Sequence, residues 1–351
     1  MGVDSVVDRQ QEDVPDCYLC GTAGWTRYRG LEDRLFSAPG RASLLQCPAC
    51  GLWWLTPRFL PEHISLAYAD YYTHQEYAGP RRFAGIRGRI TLLMERHATF
   101  GLRRSVAERL LAGALWKLVL VRDSVDPLLL GLRGVSPGAV LDVGCGAGEF
   151  LDRARRLGWN VRGVEPDPAA AEFARTRFAI PVMGGTVEDQ SLPPASHDLV
   201  VSRHVLEHVH DPVAFLRRCF GLVRPGGKLI VLTPNMASLQ HKIFGPSWFH
   251  LDPPRHLYLF TRATLAACAA RAGLAGVTIG TLAREGRESW QGSRVIRRNG
   301  RVASADISMR VKAEGLCAML LEEFVRWFWR DAGDELILVA SKERSGAGND
   351  D

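Results

Sequence analysis

Val140-Leu141-Asp142-Val143-Gly144-Cys145-Gly146-Ala147-Gly148-Glu149-Phe150 is the stretch that decides the fold. Its apolar start, Ala139 to Val143, reads as a strand. Glycine then stands at every second position, and Glu149 to Leu157 reads as a helix with Phe150, Ala154 and Leu157 on one face. Glycines in such a turn let the backbone adopt positive φ and approach a ligand closely. A strand that runs through a glycine turn into a helix opens an α/β layer.

Working outward, short apolar runs alternate with helical patterns. Strands are expected at Val161 to Val164, Asp198 to Ser202, Lys228 to Thr233, Val277 to Leu282 and Glu335 to Ala340. Helices are expected at Pro168 to Phe178, after Asp211-Pro212, and from Thr261 to near Gly273. This order predicts an α/β domain over 136–343, a doubly wound, mostly parallel sheet with helices on both faces and an insertion at about 284–332. The insertion carries an aromatic helix, Leu316 to Trp329, suited to a lid, a packed insert, or a partner or membrane contact. Residues 57–135 read as a mostly helical cap or linker, with Tyr71 and Tyr72 placed to close over a pocket; 1–14 and 344–351 read as flexible tails.

Composition sets outer limits. Hydrophobic residues make up 46% and charged residues 23%, the balance of a globular protein, and the net charge of +6 does not demand nucleic acid. No apolar run spans a bilayer, and the N-terminus lacks a signal-peptide pattern, so a cytoplasmic location is expected; peripheral membrane contact stays open. The oligomeric state is not legible.

Cys17-Tyr18-Leu19-Cys20-Gly21 and Cys47-Pro48-Ala49-Cys50-Gly51 are two Cys-x-x-Cys-Gly knuckles. Four thiolates on two tight turns match a closed tetrahedral site. Cys17, Cys20, Cys47 and Cys50 are therefore expected to hold a structural Zn2+ in a small ribbon over 15–56.

The glycine turn is sharpened by Glu165, which ends the second strand 23 residues after Asp142, where a carboxylate reaches ribose hydroxyls. The order Asp-x-Gly-x-Gly-x-Gly, then Glu165, resembles the class I S-adenosylmethionine (SAM)-dependent methyltransferases. The resemblance continues through Gly185-Thr186-Val187-Glu188-Asp189, through Asp198 to Val209, and through Leu222 to Val231, covering about residues 136 to 275. Family members often carry an aromatic where His197 stands. The resemblance implies a Rossmann-like doubly wound, mostly parallel seven-stranded sheet and SAM as cofactor, held by Asp142, Gly144, Cys145, Gly146, Gly148, Glu165, Pro166, Val187, Glu188, Ser202 and His204.

The acceptor side is expected in the loop Phe244 to Leu257, beyond the carboxyl end of the Lys228 strand. Its Pro254-Arg255-His256 before Leu257-Tyr258-Leu259-Phe260 resembles one branch of bacterial methyltransferases. It is loosely similar to the ubiquinone-biosynthesis O-methyltransferases, which place a histidine in the corresponding loop. His256 is expected as general base, with His208 second; Arg255 is expected to bind an anionic group, and Trp248 and His250 to line the acceptor.

The zinc module ahead of the catalytic domain resembles the layout of bacterial sugar C-methyltransferases, although the later loop differs. The reading favours methylation, by preference on oxygen, of a small-molecule or saccharide acceptor. The alternatives are an RNA methyltransferase using the zinc module, against which Ser202-Arg203-His204 lacks the Pro-Pro loop used on base amines, and a SAM-binding scaffold without catalysis.

Overall fold

The computed structural model describes residues 10–68, 137–303 and 306–344. Tyr71, Tyr72 and most of the expected helical cap, 57–135, lie outside these residues; in its described part, 57–68, Arg58–Phe59 is a strand and Pro61–Tyr68 a 3-10 helix. The strands are β1 (Gln11–Glu12), β2 (Trp25–Leu31), β3 (Ala42–Gln46), β4 (Trp53–Thr56), β5 (Arg58–Phe59), β6 (Ala139–Val143), β7 (Asn160–Glu165), β8 (Val182–Gly184), β9 (His197–Arg203), β10 (Val223–Pro234), β11 (Tyr258–Leu259), β12 (Thr278–Leu282) and β13 (Glu335–Ser341). The helices are α1 (Glu149–Arg156), α2 (Pro168–Phe178), α3 (Pro212–Leu222), α4 (Leu239–Phe244), α5 (Arg262–Arg271), α6 (Gly286–Asn299) and α7 (Met309–Val325).

The expected mostly parallel seven-stranded sheet is present, in the order β12-β13-β10-β9-β6-β7-β8. The crossover order puts β6 beside both β7 and β9, each in parallel register. Ligands in such sheets sit beyond the carboxyl ends of the strands, where the order reverses.

The chain divides into two compact units. One comprises Thr73–Arg203, Arg218–Ile230 and Val339–Asp351. Its buried residues include Val140, Leu141 and Val143 of β6, Leu199, Val200 and Val201 of β9, and Phe150, Leu151 and Ala154 of α1, a helix that packs against β7. Continuous burial on both faces explains why these strands read as unbroken apolar runs. Asp198 ties the strand starts together: it accepts the Ala139 N–H at 2.8 Å and pairs with Arg224.

The other unit comprises Met1–Tyr72, His204–Arg217 and Val231–Leu338. Within it an antiparallel sheet runs β11-β4-β3-β2. The cysteine ribbon is thus not closed at residue 56. Its fourth strand, β11, comes from the far side of the acceptor loop, with Tyr258 opposite Trp54 and Leu259 opposite Trp53. Leu31, Ala42, Leu44 and Leu55 of the ribbon share one core with Met236, Phe244, Trp248, Leu251 and Leu259. The expected start signals hold: Asp211 accepts the Ala214 N–H at 2.8 Å, and Thr261 and Thr264 form a capping box on α5.

The insertion differs from expectation. Among the described residues it holds two helices. The last one ends at Val325, short of the expected Trp329, and α6 gave no apolar periodicity to read because its buried face includes Gly286, Ser289, Gln291, Gly292 and Ser293. Phe324, Trp327 and Phe328, at the end of α7 and beyond, are exposed. No helix among the described residues is long and apolar enough to cross a membrane.

Candidate active site

The glycine turn is built as the sequence requires. Gly144, Gly146 and Gly148 have φ of 75°, 52° and 80°. A Cβ on Gly148 would stand 2.9 Å from the Ala174 Cβ of α2, so the residue serves both the turn and helix packing. The Gly144 and Cys145 N–H groups donate to the Val164 carbonyl at 2.8 and 3.1 Å, clamping the turn to the end of β7. Glu165 accepts the Gly146 N–H at 2.7 Å and the Asp167 N–H at 2.9 Å. Burial pushes its carboxyl up, against the pull of those two donors.

Asp142 is wholly buried, with the Arg203 guanidinium 3.9 Å from its Oδ2. Ser202 stands opposite Val143 in the β6/β9 register; it too is wholly buried, and its hydroxyl has no hydrogen-bond partner. Cys145 is buried with its sulfur where a Cβ on Gly163 would fall, a packing role. Pro166 is exposed beside Glu165. Val187 is buried and its carbonyl accepts from Arg218 at 3.3 Å; Glu188 is exposed in the turn that Asp189 ties to Thr186. The residues of this unit expected on the cofactor side thus stand at or after the carboxyl ends of β6, β7, β8 and β9.

In the other unit, His204 has a φ of 51°, outside the range most side chains adopt. Its Nδ1 lies 3.3 Å from Glu207 Oε1 and its Nε2 3.0 Å from Glu335 Oε1. Burial opposes a charge on this ring, but the two carboxylates outweigh it and raise the imidazole well above its usual range. Glu207 is fully buried and accepts the Thr233 hydroxyl at 2.9 Å. Desolvation would raise it; His204 and the neighbouring histidines instead hold it down at about 2.

Glu207, His208 and His256 form a second group, their donor atoms within 4.8 Å of one another. The His208 Nδ1 lies 3.0 Å from the Arg255 carbonyl and 2.9 Å from the Tyr68 hydroxyl. The His256 Nδ1 lies 2.7 Å from the His250 carbonyl. A carbonyl only accepts, so each neutral ring carries its proton on Nδ1 and a lone pair on Nε2. His256 is buried, and burial with the nearby His208 lowers it to about 4. His208 is more accessible.

The remaining expected acceptor residues are structural here. Arg255 has no solvent exposure; it donates to Asp33 at 2.7 and 2.8 Å and to Asp252, and it faces the Phe36 ring. Its charge is already matched by two carboxylates, which corrects the expectation that it binds an anionic acceptor. Trp248 is likewise fully buried, donating from Nε1 to Asp334 at 3.1 Å, so it is core and not a pocket wall. His250 is buried between Asp334, 3.2 Å away, and the His204 ring, stacked at 6.4 Å. Burial works against its charge, but Asp334 raises it. Sequence reasoning missed Glu285 and Glu335, which stand in the insertion and at the start of the last strand, where no local motif marks them.

The cysteine knuckles converge. Cys17 and Cys50 sulfurs are 3.4 Å apart and Cys20 and Cys47 sulfurs 3.3 Å apart, all four as free thiols. Gly21 and Gly51, with φ of 69° and 81°, donate back to the Cys17 and Cys47 carbonyls at 2.8 and 3.1 Å.

A family model described as a methyltransferase domain matches residues 119–279. Over 122 residues the chain is 39% identical to a ubiquinone biosynthesis O-methyltransferase of Methylocella silvestris, covering 33% of this chain and 45% of the relative. It is 32% identical over 163 residues to a malonyl-[acyl-carrier protein] O-methyltransferase of Serratia marcescens, covering 45% and 63%. It is 32% identical over 166 residues to a ubiquinone biosynthesis O-methyltransferase of Cupriavidus pinatubonensis, covering 43% and 67%. The chain spans about half the length of the curated relatives it matches.

Proposed function

From the premise that this chain belongs to the class I SAM-dependent methyltransferases, we propose that it methylates an oxygen nucleophile on a small-molecule or glycan-type acceptor. The observation that carries the cofactor side is the clamped glycine turn with Glu165 at its edge and the orphaned, buried Ser202 hydroxyl beside it. These residues fit SAM. The left-handed glycines open the backbone to close approach, Glu165 keeps acceptor capacity for ribose hydroxyls, and Asp142, with the Arg203 guanidinium 3.9 Å away, stands two residues before the first of those glycines. SAM supplies an electrophilic methyl on a sulfonium, and the chain must hold the acceptor in line with it.

For proton removal we place His208 ahead of His256. Both present an Nε2 lone pair, but His208 is the accessible one, and Tyr68 and the Arg255 carbonyl fix its ring. His256 lies behind it, edge-on with ring centroids 4.7 Å apart. Oxygen is favoured because the relatives reported above are named O-methyltransferases. The four thiols are read as a structural zinc site: closed, with no open position for chemistry, and consistent with a reducing compartment such as the cytoplasm.

Calorimetry of SAM binding, followed by turnover on a panel of phenols, sugar nucleotides and bulk RNA, tests the reading. Asp142→Ala and Glu165→Ala are expected to lose SAM affinity, and retained affinity in both sinks the cofactor assignment. His208→Ala is expected to lose about 100-fold or more in kcat on any acceptor found. Turnover on RNA alone would transfer the assignment to the RNA reading.

A further inference from the structure

We propose that His204, Glu285 and Glu335 form a binding site for one divalent transition-metal cation, separate from the cysteine site. The donor atoms of these three residues lie within 4.8 Å of one another. His204 Nε2 and Glu335 Oε1, 3.0 Å apart, stand at the separation of two ligands on one small cation.

The arrangement behind them is what a metal-bound histidine needs. Glu207 Oε1 meets the other nitrogen, Nδ1, at 3.3 Å, and Thr233 holds the far Glu207 oxygen at 2.9 Å. A carboxylate on Nδ1 fixes the ring and its tautomer and leaves Nε2 as the ligand. The independent observation is Glu335. Its side chain is only 3% exposed, its Oε1 is on His204, and its Oε2 is buried with no hydrogen-bond partner. A buried carboxylate oxygen without a partner is costly.

The charge balance points the same way. Three glutamates, two of them buried, face one imidazole from three separate parts of the chain: Glu207 just after β9, Glu285 at the start of α6 and Glu335 at the start of β13. The other rings near by do not supply the missing charge: His250, stacked on His204, is matched by Asp334. One nitrogen and two carboxylates suit Mn2+, Fe2+ or Zn2+ better than a soft thiolate-seeking ion. Three protein ligands leave positions free for oxygens of an acceptor. That last role rests on the methyl-transfer reading; binding of the ion does not.

The test uses the full chain with its cysteine site filled by zinc and Mn2+ as the probe, followed by paramagnetic resonance and calorimetry. One Mn2+ per chain is expected, with nitrogen coupling from one imidazole. Glu335→Gln and Glu285→Gln are each expected to weaken it about tenfold or more, while His256→Ala leaves it in place. No stoichiometric Mn2+ or Co2+ binding overturns the proposal. So does binding unchanged in both glutamine variants, or binding lost in His256→Ala and kept in Glu335→Gln, which would put the ion on the Glu207–His208–His256 group. SAM affinity measured on the same samples reports separately on the methyltransferase reading.

Discussion

The Arg255 guanidinium and the Asp33 carboxylate meet through two hydrogen bonds, 2.7 and 2.8 Å, with neither side chain exposed to solvent. The pair joins the loop after β2 to the acceptor loop within one unit. Asp33 also accepts the N–H groups of Leu35, Phe36 and Ala38, so it organises its own turn while it neutralises the arginine. Removing Asp33 leaves Arg255 with Asp252 alone and strips the acceptor from two guanidinium N–H groups and from the three N–H groups of the turn, all in a buried setting. Asp33→Ala is expected to lower stability by about 3–5 kcal/mol, read from the urea midpoint. A loss below about 1 kcal/mol would mean that water enters and screens the pair.

The same pair sets an acid limit. Burial would raise the Asp33 carboxyl, but the Arg255 hydrogen bonds and charge overcome it and hold it below its ordinary value. Its folded value is lower than its unfolded one, so its contribution is present above about pH 4 and fades as pH falls through the depressed value. Asp33→Asn is expected to show a shallower fall of stability with acid in that window than the parent. Parallel acid limbs in denaturation series at successive pH values would show that other carboxylates set the limit.

Gly148 joins a left-handed backbone, φ of 80°, to close packing on Ala174. Gly148→Ala is expected to cost about 1–2 kcal/mol for the conformation alone. It should also displace the turn and weaken SAM binding in calorimetry. Unchanged affinity would mean that α2 yields without moving the loop.

Zinc removal should loosen the ribbon. Titration of the thiols with a mercurial is expected to release one zinc per chain. Cys47→Ser should lower Tm by about 5 °C or more, because zinc binding contributes folding free energy. Metal analysis of purified protein without zinc, at unchanged Tm, would reject the site.

What was legible in the sequence was local. The glycine turn, Glu165 at the end of β7, the Asp211 and Thr261 caps and the two knuckles each depend on residues a few positions apart, and each stands where its pattern placed it. Arg255, Trp248 and His250 looked like an open polar loop because their partners, Asp33 and Asp334, are far away in the chain. A local pattern cannot show that a charge is already matched. The insertion was legible only in part. Its aromatic run, Phe324 to Trp329, left lid, packing and contact roles open by composition; Phe324, Trp327 and Phe328 are exposed, while α6 buries serine, glutamine and glycine beside Val295 and Ile296.

The pairing of β11 with β4 has a consequence for synthesis. Arg58 reaches the Tyr258 hydroxyl at 2.8 Å across 200 residues of chain, and Trp53 and Trp54, paired with β3 on one side, find their second strand partner only there. During translation the cysteine ribbon emerges before β11 and waits, its β4 edge bare, until the ribosome has passed Leu259. A bare edge carrying two tryptophans is a template for pairing with another nascent chain. Metal capture by the knuckles while the ribbon waits would limit that hazard. A fragment cut after β4 keeps the open edge permanently, and the cysteine ribbon is therefore a poor part to excise for use elsewhere.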